Sequence, residues 1–299
     1  MFSISKHYKK YYILSGTLFL ASVLSLIIFG LKPGIDFTGG SIFELKFEQP
    51  VTNTRAAEVL QSLGLSDVTV QPSDQNVLII KTESIDTQEE RDAIYAGIRD
   101  QIGNFEEIQS DFIGPVIGQE LARKAKWQTL IVILGILLFV AYAFRNIGQR
   151  KSNKVISSWR LSWAAIAALI HDIVILLGVF SVLGRIQSLE IDTMFITAIL
   201  TTLGFSVNDT IVVFDRLREN MEKEKGVHLS EVIDKSVIQT MTRSLNTSFT
   251  LLFVLLALIF FGGESISHFV LAMIIGITVG TYSSIFIASP LLLSWSKEE

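Results

Sequence analysis

The chain has 299 residues, 49% of them hydrophobic and 18% charged, with a mean hydropathy of +0.48 and a net charge of −4. A charged share below the rough quarter of ordinary soluble domains excludes a simple water-soluble globule, and the mild negative balance offers nothing to attract nucleic acid. No cysteine is present, which removes disulfide frameworks, thiolate metal sites and cysteine nucleophiles.

A membrane crossing takes about 20 mostly apolar residues. Six segments meet that length in chain order: residues 11–31, 127–144, 161–183, 193–214, 244–263 and 269–295. Four of them carry no charge, the third holds only His171 and Asp172, and the fourth holds only Asp209. The first uncharged run is longer than the roughly 7–15 residues of a signal-peptide core, so it is expected to be a retained span. Lys6, Lys9 and Lys10 precede it. Arg145, Arg150, Lys151, Lys154 and Arg160 follow the second span, and Arg216, Arg218, Lys223, Lys225, Lys235 and Arg243 follow the fourth. Residues 184–192 hold only Arg185 and residues 264–268 hold no basic residue. Positive charge stays in the cytoplasm. The tails 1–10 and 296–299, the loop 145–160 and an amphipathic surface segment at 215–243 are therefore expected there. Residues 32–126, 184–192 and 264–268 are expected on the outer face of a cell membrane.

The large insert, residues 32–126, carries sixteen acidic and nine basic residues, a net charge of −7, and no histidine. Residues 41–47 alternate apolar and polar as a half-buried strand does. Residues 54–63 place Ala57, Leu60 and Leu63 at helical spacing before Gly64. Residues 68–71 and 76–81 read as strands around a Pro-Ser-Asp-Gln turn. Residues 86–103 read as a helix with Ala93, Ile94, Ile98 and Ile102 on one side, and residues 105–112 as a last strand. The order β-α-β-β-α-β is that of a ferredoxin-like α+β sandwich, a fold that identifies no function by itself. Its two roots are rich in glycine: Gly34, Asp36, Gly39 and Gly40 in GIDFTGG, and Gly114, Pro115 and Gly118 in GPVIGQEL. These residues are expected to form hinge elements that set how the insert stands on the membrane.

An ionisable side chain at bilayer depth costs roughly 2.5–3.5 kcal/mol on insertion scales and usually faces a bundle interior or water. Asp209, with Asn208 beside it, lies six residues before Asp215, about 9 Å of helix, and is read as a proton-binding carboxylate. Arg243, at the head of the polar run TMTRSLNTSFT (residues 240–250), is its expected partner, because the segment at 219–239 returns the chain near the fourth span. His171 and Asp172 fall near the middle of the third span and suit a proton path. For each group the alternative is a fixed polar contact between helices. Glu190 and Asp192, at the outer end of the fourth span, read as solvated or capping. There is no G-x-x-x-x-G-K-[ST], H-E-x-x-H or G-x-S-x-G pattern. No ATPase or hydrolytic activity, metal or cofactor is expected, and a proton gradient is the energy source the residues suggest.

GIDFTGG (34–40), GPVIGQEL (114–121), AALIHDIVI (167–175), LGFSVNDTIVVFDRLREN (203–220) and TMTRSLNTSFT (240–250) together resemble the SecF side of the SecD/SecF family, within the resistance–nodulation–division superfamily. The resemblance runs in the family's order across nearly the whole chain. It implies a half-transporter of six transmembrane helices with an extracytoplasmic domain between the first and second, in a bacterial inner membrane. It also implies a SecD partner, the SecYEG channel and the SecA ATPase as neighbours, an unfolded preprotein on the outer side, and proton-motive force as the driving energy, with Asp209 and Arg243 at the family's proton-coupling positions. A proton-driven small-molecule exporter half and a non-transporting assembly factor remain the alternatives.

Overall fold

The computed structural model describes residues 3–66, 68–74, 76–83, 85, 87–143, 158–224, 226–263 and 266–295. The expected tail at 296–299, most of the loop at 145–160, Lys225, Glu264 and Ser265 lie outside them. The elements run α1 (Tyr8–Phe29), α2 (Ile35–Thr38), β1 (Gly40–Phe47), α3 (Asn53–Ser62), β2 (Thr69–Asp74), β3 (Val77–Thr82), α4 (Gln88–Gln101), β4 (Phe105–Ile113), α5 (Pro115–Ala143), α6 (Ser158–Ile186), α7 (Thr193–Lys223), α8 (Leu229–Phe261) and α9 (Ser267–Ser283), then a π turn (Ser284–Ala288) and α10 (Ser289–Trp295). Two compact units emerge: Pro33–Trp127, and Met1–Lys32 with Gln128–Glu299.

The smaller unit is the expected β-α-β-β-α-β sandwich. Its sheet is fully antiparallel in the order β2-β3-β1-β4. β1 and β3 pair with Phe43 opposite Ile80 and Leu45 opposite Leu78. The alternation seen in the sequence thereby sends Phe43, Leu45 and Phe47 to one face. α3 and α4 cover that face with Ala56, Val59, Leu60, Ile94, Tyr95 and Ile98. Thr52 and Thr87 cap the two helices, accepting from the amides of Arg55 and Glu90.

Three details depart from the expectation. Pro72, Ser73 and Asp74 belong to β2 rather than to a turn; β2 is an edge strand with a bulge there, the one setting where a residue without N–H is harmless. Ala56 and Val59, not Ala57, line the inner face of α3. Tyr95 replaces Ala93 in α4, because 94, 95 and 98 follow the i, i+1, i+4 spacing of a buried stripe while 93 falls outside it.

Arg91, Tyr95 and Glu107 tie α4 to β4. Arg91 Nη2 donates to Glu107 Oε1 at 2.6 Å and its guanidinium lies over the Tyr95 ring, 5.2 Å from the centroid. Burial pushes the Tyr95 hydroxyl up to about 12. Burial also acts to raise Glu107, but the Ser110 and Tyr95 hydroxyls and the Arg91 guanidinium outweigh it and hold that carboxyl below its ordinary value. A carboxyl lowered by folding stabilises the unit above its unfolded value, about 4.3, and that contribution is lost as pH falls through the folded value. Glu107→Gln should therefore cost about 1 kcal/mol at neutral pH and flatten this acid limb. Hydrogen-exchange protection of β4, corrected for intrinsic rates and followed from pH 7 downward, reads both effects.

Among the described residues, six helices are long and apolar enough to cross a membrane. Half or more of each apolar window is buried in α6, α7 and the sixth span, against 17% or less in α1, α5 and α8. These three are therefore the central helices, and two of them carry the buried His171 and Asp172 (α6) and Asp209 (α7). Small residues let α1 approach α6: Ser25 Oγ donates to the Gly178 carbonyl at 3.0 Å and Ser181 Oγ to that of Ser25 at 2.9 Å.

Several helix limits differ from the sequence reading. α5 starts at Pro115, twelve residues before 127, with proline in the first helical position where its missing N–H costs nothing. Residues 215–243 are amphipathic as expected but are not a separate element. α7 continues to Lys223 and α8 begins at Leu229, so the stretch is the turn and ends of a helical hairpin. Its charges face outward, while Leu217, Asn220, Val232, Ile233, Ser236 and Val237 are buried, and Asn220 Nδ2 donates to Ser236 Oγ at 2.9 Å. Residues 3–5 are docked on the bundle: Ile4 is fully buried, and Ser3 and Ser5 donate to the Asp234 carboxylate through two hydroxyls and one amide. Asp192 caps α7 by accepting from Phe195 N at 2.7 Å. Glu190 is not solvated; it is buried and pairs with Lys32 at 3.2 Å.

Candidate functional site in the membrane core

Asp172, on α6, is 6% exposed and accepts from three groups on three helices. His171 Nδ1 lies 3.0 Å from Oδ1; Ser206 Oγ on α7 and Ser283 Oγ on α9 donate to Oδ2 at 2.6 and 2.7 Å. Three donors to one carboxylate are what keeps a charge tolerable away from water. His171 and Asp172 touch although consecutive residues leave a helix about 100° apart. The other ring nitrogen of His171, Nε2, is buried without a hydrogen-bond partner, and the ring stacks on Phe19 at 6.4 Å. A cavity of about 10 Å³, close to the room one water needs, lies beside Asp172, Thr202 and Gly276. A separate cavity of about 70 Å³, between α5, α6 and α7, has an aliphatic lining.

Asp209, on α7, is 7% exposed. Ser244 Oγ on α8 donates to Oδ1 at 2.5 Å, and Oδ2 is buried without a hydrogen-bond partner. The expected companion, Arg243, is the residue before Ser244. It lies on the exposed side of α8, and no ion pair within 4 Å joins it to Asp209. It acts on Asp209 as a charge at a distance. Asn208 is exposed on the surface of α7, turned away from the pocket that holds its neighbour.

The structure thus brings His171 to Asp172 and aligns α8 with Asp209, but the group that touches Asp209 is a serine. Ser206, Ser244 and Ser283 are the site residues that sequence reasoning missed as ligands of these carboxylates. Their signal is the density of hydroxyls in apolar spans: Ser206 sits one turn before Asp209, and Thr278, Thr281, Ser283, Ser284 and Ser289 crowd the sixth span. Ser248 and Thr281 share a further buried hydrogen bond of 2.6 Å between α8 and α9. Among the described residues no group of three or more His, Asp or Glu is placed to hold a metal.

The glycine roots meet within the smaller unit. Gly34 caps the single turn α2, its carbonyl accepting from the amides of Phe37 and Thr38. Asp36 lies in the first turn of α2. Gly39 and Gly40 have φ of 81° and 149°, conformations that favour glycine. A Cβ on Gly39 would stand 2.8 Å from Pro115 Cα, and one on Gly118 only 2.7 Å from the Gly39 nitrogen. Gly114, by contrast, has open space around it apart from Phe112 at 3.9 Å.

Six membrane-length helices, a ferredoxin-like unit inserted after the first, and two carboxylates each held by hydroxyls from neighbouring helices define a polytopic membrane protein with a polar core. The pattern of the protein export membrane proteins SecD/SecF, C-terminal, matches residues 95–298, and that of the SecD/SecF GG motif matches residues 24–51. The chain is 39% identical to the protein translocase subunit SecF of Thermobaculum terrenum, over 97% of this chain and 92% of that one. It is 33% identical to the protein translocase subunit SecDF of Bacillus subtilis, over 97% of this chain but 38% of that one. The crystal structure of SecDF from Thermus thermophilus superimposes with a TM-score of 0.85 at 31% identity, covering 98% of this chain and 38% of that chain. The chain belongs to the SecD/SecF family of protein export membrane proteins.

Proposed function

We propose that this chain is the SecF-type subunit of the Sec preprotein translocase in a bacterial inner membrane. In this reading it works with a SecD-type partner, beside the SecYEG channel and after the SecA ATPase, and uses the proton-motive force to help draw preproteins to the outer side. Both termini lie in the cytoplasm, and Pro33–Trp127 faces outward. The observation that carries the proposal is Asp209: a carboxylate buried in a membrane-spanning helix, with one hydroxyl donor and, among the described residues, one oxygen without a hydrogen-bond partner and an arginine on the next helix that makes no ion pair. Such a group is poised to take up and release a proton, and loss of its charge changes what Ser244 and Arg243 face. Asp172 with His171 is the second proton-holding group. The glycine roots at Gly34, Gly39, Gly40, Gly114, Pro115 and Gly118, with Asp36, are where movement of the bundle would reach the outward unit.

The partner is argued from polarity. Thr197, Thr201 and Asn208 on α7, and Arg243, Asn246, Thr247 and Thr250 on α8, are exposed on the surface of this chain. An asparagine and an arginine facing lipid are costly at bilayer depth, so this face is read as covered by a protein partner. In the SecDF relatives the matched region is 38% of the chain, which leaves a second half to fill that role. The test is export of a preprotein into inverted membrane vesicles containing this chain and its SecD-type partner, with and without an ionophore. A proton-gradient-dependent component that disappears when this chain is omitted supports the reading; a component indifferent to the chain overturns it.

A further inference from the structure

The polar groups of α6, α7 and the sixth span converge where the sixth helix leaves α geometry. α9 ends at Ser283, and Ser284–Ala288 wind as a π turn before α10. A π turn fits one extra residue into a helix, is uncommon, and persists where its surroundings hold it. Here the holds are specific. Ser284 Oγ donates to the Ser206 carbonyl at 3.2 Å and lies 2.8 Å from Thr210 Oγ1, which serves as its donor. Ser289 Oγ donates to the Ser284 carbonyl, five residues back, at 3.3 Å. Ser283 Oγ, at the entrance to the turn, has two acceptors in reach: Asp172 Oδ2 at 2.7 Å and the Gly280 carbonyl of its own helix at 3.1 Å. A hydroxyl has one proton to give, and a charged carboxylate is the stronger acceptor.

The helix before the turn is closely packed. A Cβ on Gly276 would meet Thr202 at 2.6 Å, and one on Gly280 would meet Ser206 at 2.9 Å, so α9 lies flush against α7. A change of register therefore falls after Ser283, where the helix already departs from α geometry. The titratable group in contact with Asp172 is His171 on its own helix; α7 and α9 present hydroxyls to it, and α1 presents Phe19 to the imidazole.

We propose that the charge on Asp172 holds the π turn of the sixth span open, and that neutralising Asp172 returns the Ser283 proton to the Gly280 carbonyl and lets the turn close to α geometry. Closure removes one residue from the wide turn. Everything after it moves on by one position, a rotation of about 100° and a rise of about 1.5 Å. The sixth span is thereby the two-state element that reads Asp172. As a physiological device this rests on the proton-coupled reading above; its structural content does not.

The chain has no cysteine, so introduced pairs are its only thiols. The Tyr11 and Phe286 rings lie 4.6 Å apart, and closure of the turn would bring Ile285 into the place of Phe286. In the full-length chain in membranes, Tyr11→Cys is combined with either Phe286→Cys or Ile285→Cys and treated with a short bifunctional thiosulfonate. With Asp172 native, the Phe286 pair should give the greater yield. With Asp172→Asn the preference should invert to the Ile285 pair. Ser283→Ala, which keeps the carboxylate and adds no bulk, should move the ratio the same way and serves if Asp172→Asn fails to accumulate. Persistence of the Phe286 preference in the variants that accumulate overturns the proposal. Asp209→Asn should leave the ratio unchanged, so a failed transport reading and a failed π-turn reading give different results.

Discussion

Asp209→Asn should abolish the proton-gradient-dependent part of preprotein export while leaving the chain folded and paired with its partner. Asparagine matches aspartate in volume, and its side-chain oxygen can still accept from Ser244, now at 2.5 Å. Helix packing is therefore preserved and only the exchangeable charge is lost. One charge crossing the full potential supplies about 2.3 kcal/mol per 100 mV, so removal of the carrier takes away the whole drive rather than a fraction of it. Ser244→Ala should give an intermediate result, because the carboxylate keeps its ability to titrate but loses its one hydrogen-bond donor. The measurement is export into inverted vesicles with and without a gradient, alongside capture of the SecD-type partner as a folding control. Native stimulation in the Asp209→Asn chain would reduce the membrane carboxylate to a packing element, which is the role an assembly factor predicts.

Gly118→Ala and Gly39→Ala should destabilise the root of the inserted unit by about 2–4 kcal/mol each, combining overpacking against rigid backbone with, at Gly39, a left-handed conformation. At Gly118 the new methyl meets the Gly39 amide at 2.7 Å, and at Gly39 it meets Pro115 Cα at 2.8 Å; neither contact is a side chain able to rotate away. Gly114→Ala should be tolerated within about 0.5 kcal/mol, since its surroundings are open. Limited proteolysis across α2 and the start of α5, together with hydrogen exchange of β1, separates the three. If Gly118→Ala left protection unchanged and lowered only transport, the glycines would serve movement alone. Equal tolerance at all three positions would mean that the close approach of the two roots carries no stability.

The sandwich was legible because its signals are local. Residues 41–47 alternate at the period of the sheet, 76–81 are a short apolar run of strand length, and Ile94, Ile98 and Ile102 repeat at helical spacing. Pro72 was misread because whether proline is tolerated in a strand depends on whether that strand lies at an edge, which is a property of the whole sheet. That 215–243 continues two spanning helices was missed for a related reason. The many charges of this stretch are real and solvated, but Leu217, Asn220, Val232 and Val237 form the inner stripe of two helices that bury each other. Composition averages over both faces, and only packing separates them.

From the sequence alone came the six spans, the fold of the insert and the identity of the four acidic and polar membrane positions, Asp172, His171, Asn208 and Asp209. Hydropathy and charge at bilayer depth are properties of residues in order, and the cost of burying a charge singles them out without coordinates. The tertiary structure alone decided their partners. Ser206 and Ser283 reach Asp172 from residues 34 and 111 positions away, and Ser244 rather than Arg243 touches Asp209. Hydrogen bonds between helices depend on rotation about each helix axis, and a few tens of degrees determine whether a serine or its neighbour faces the acid.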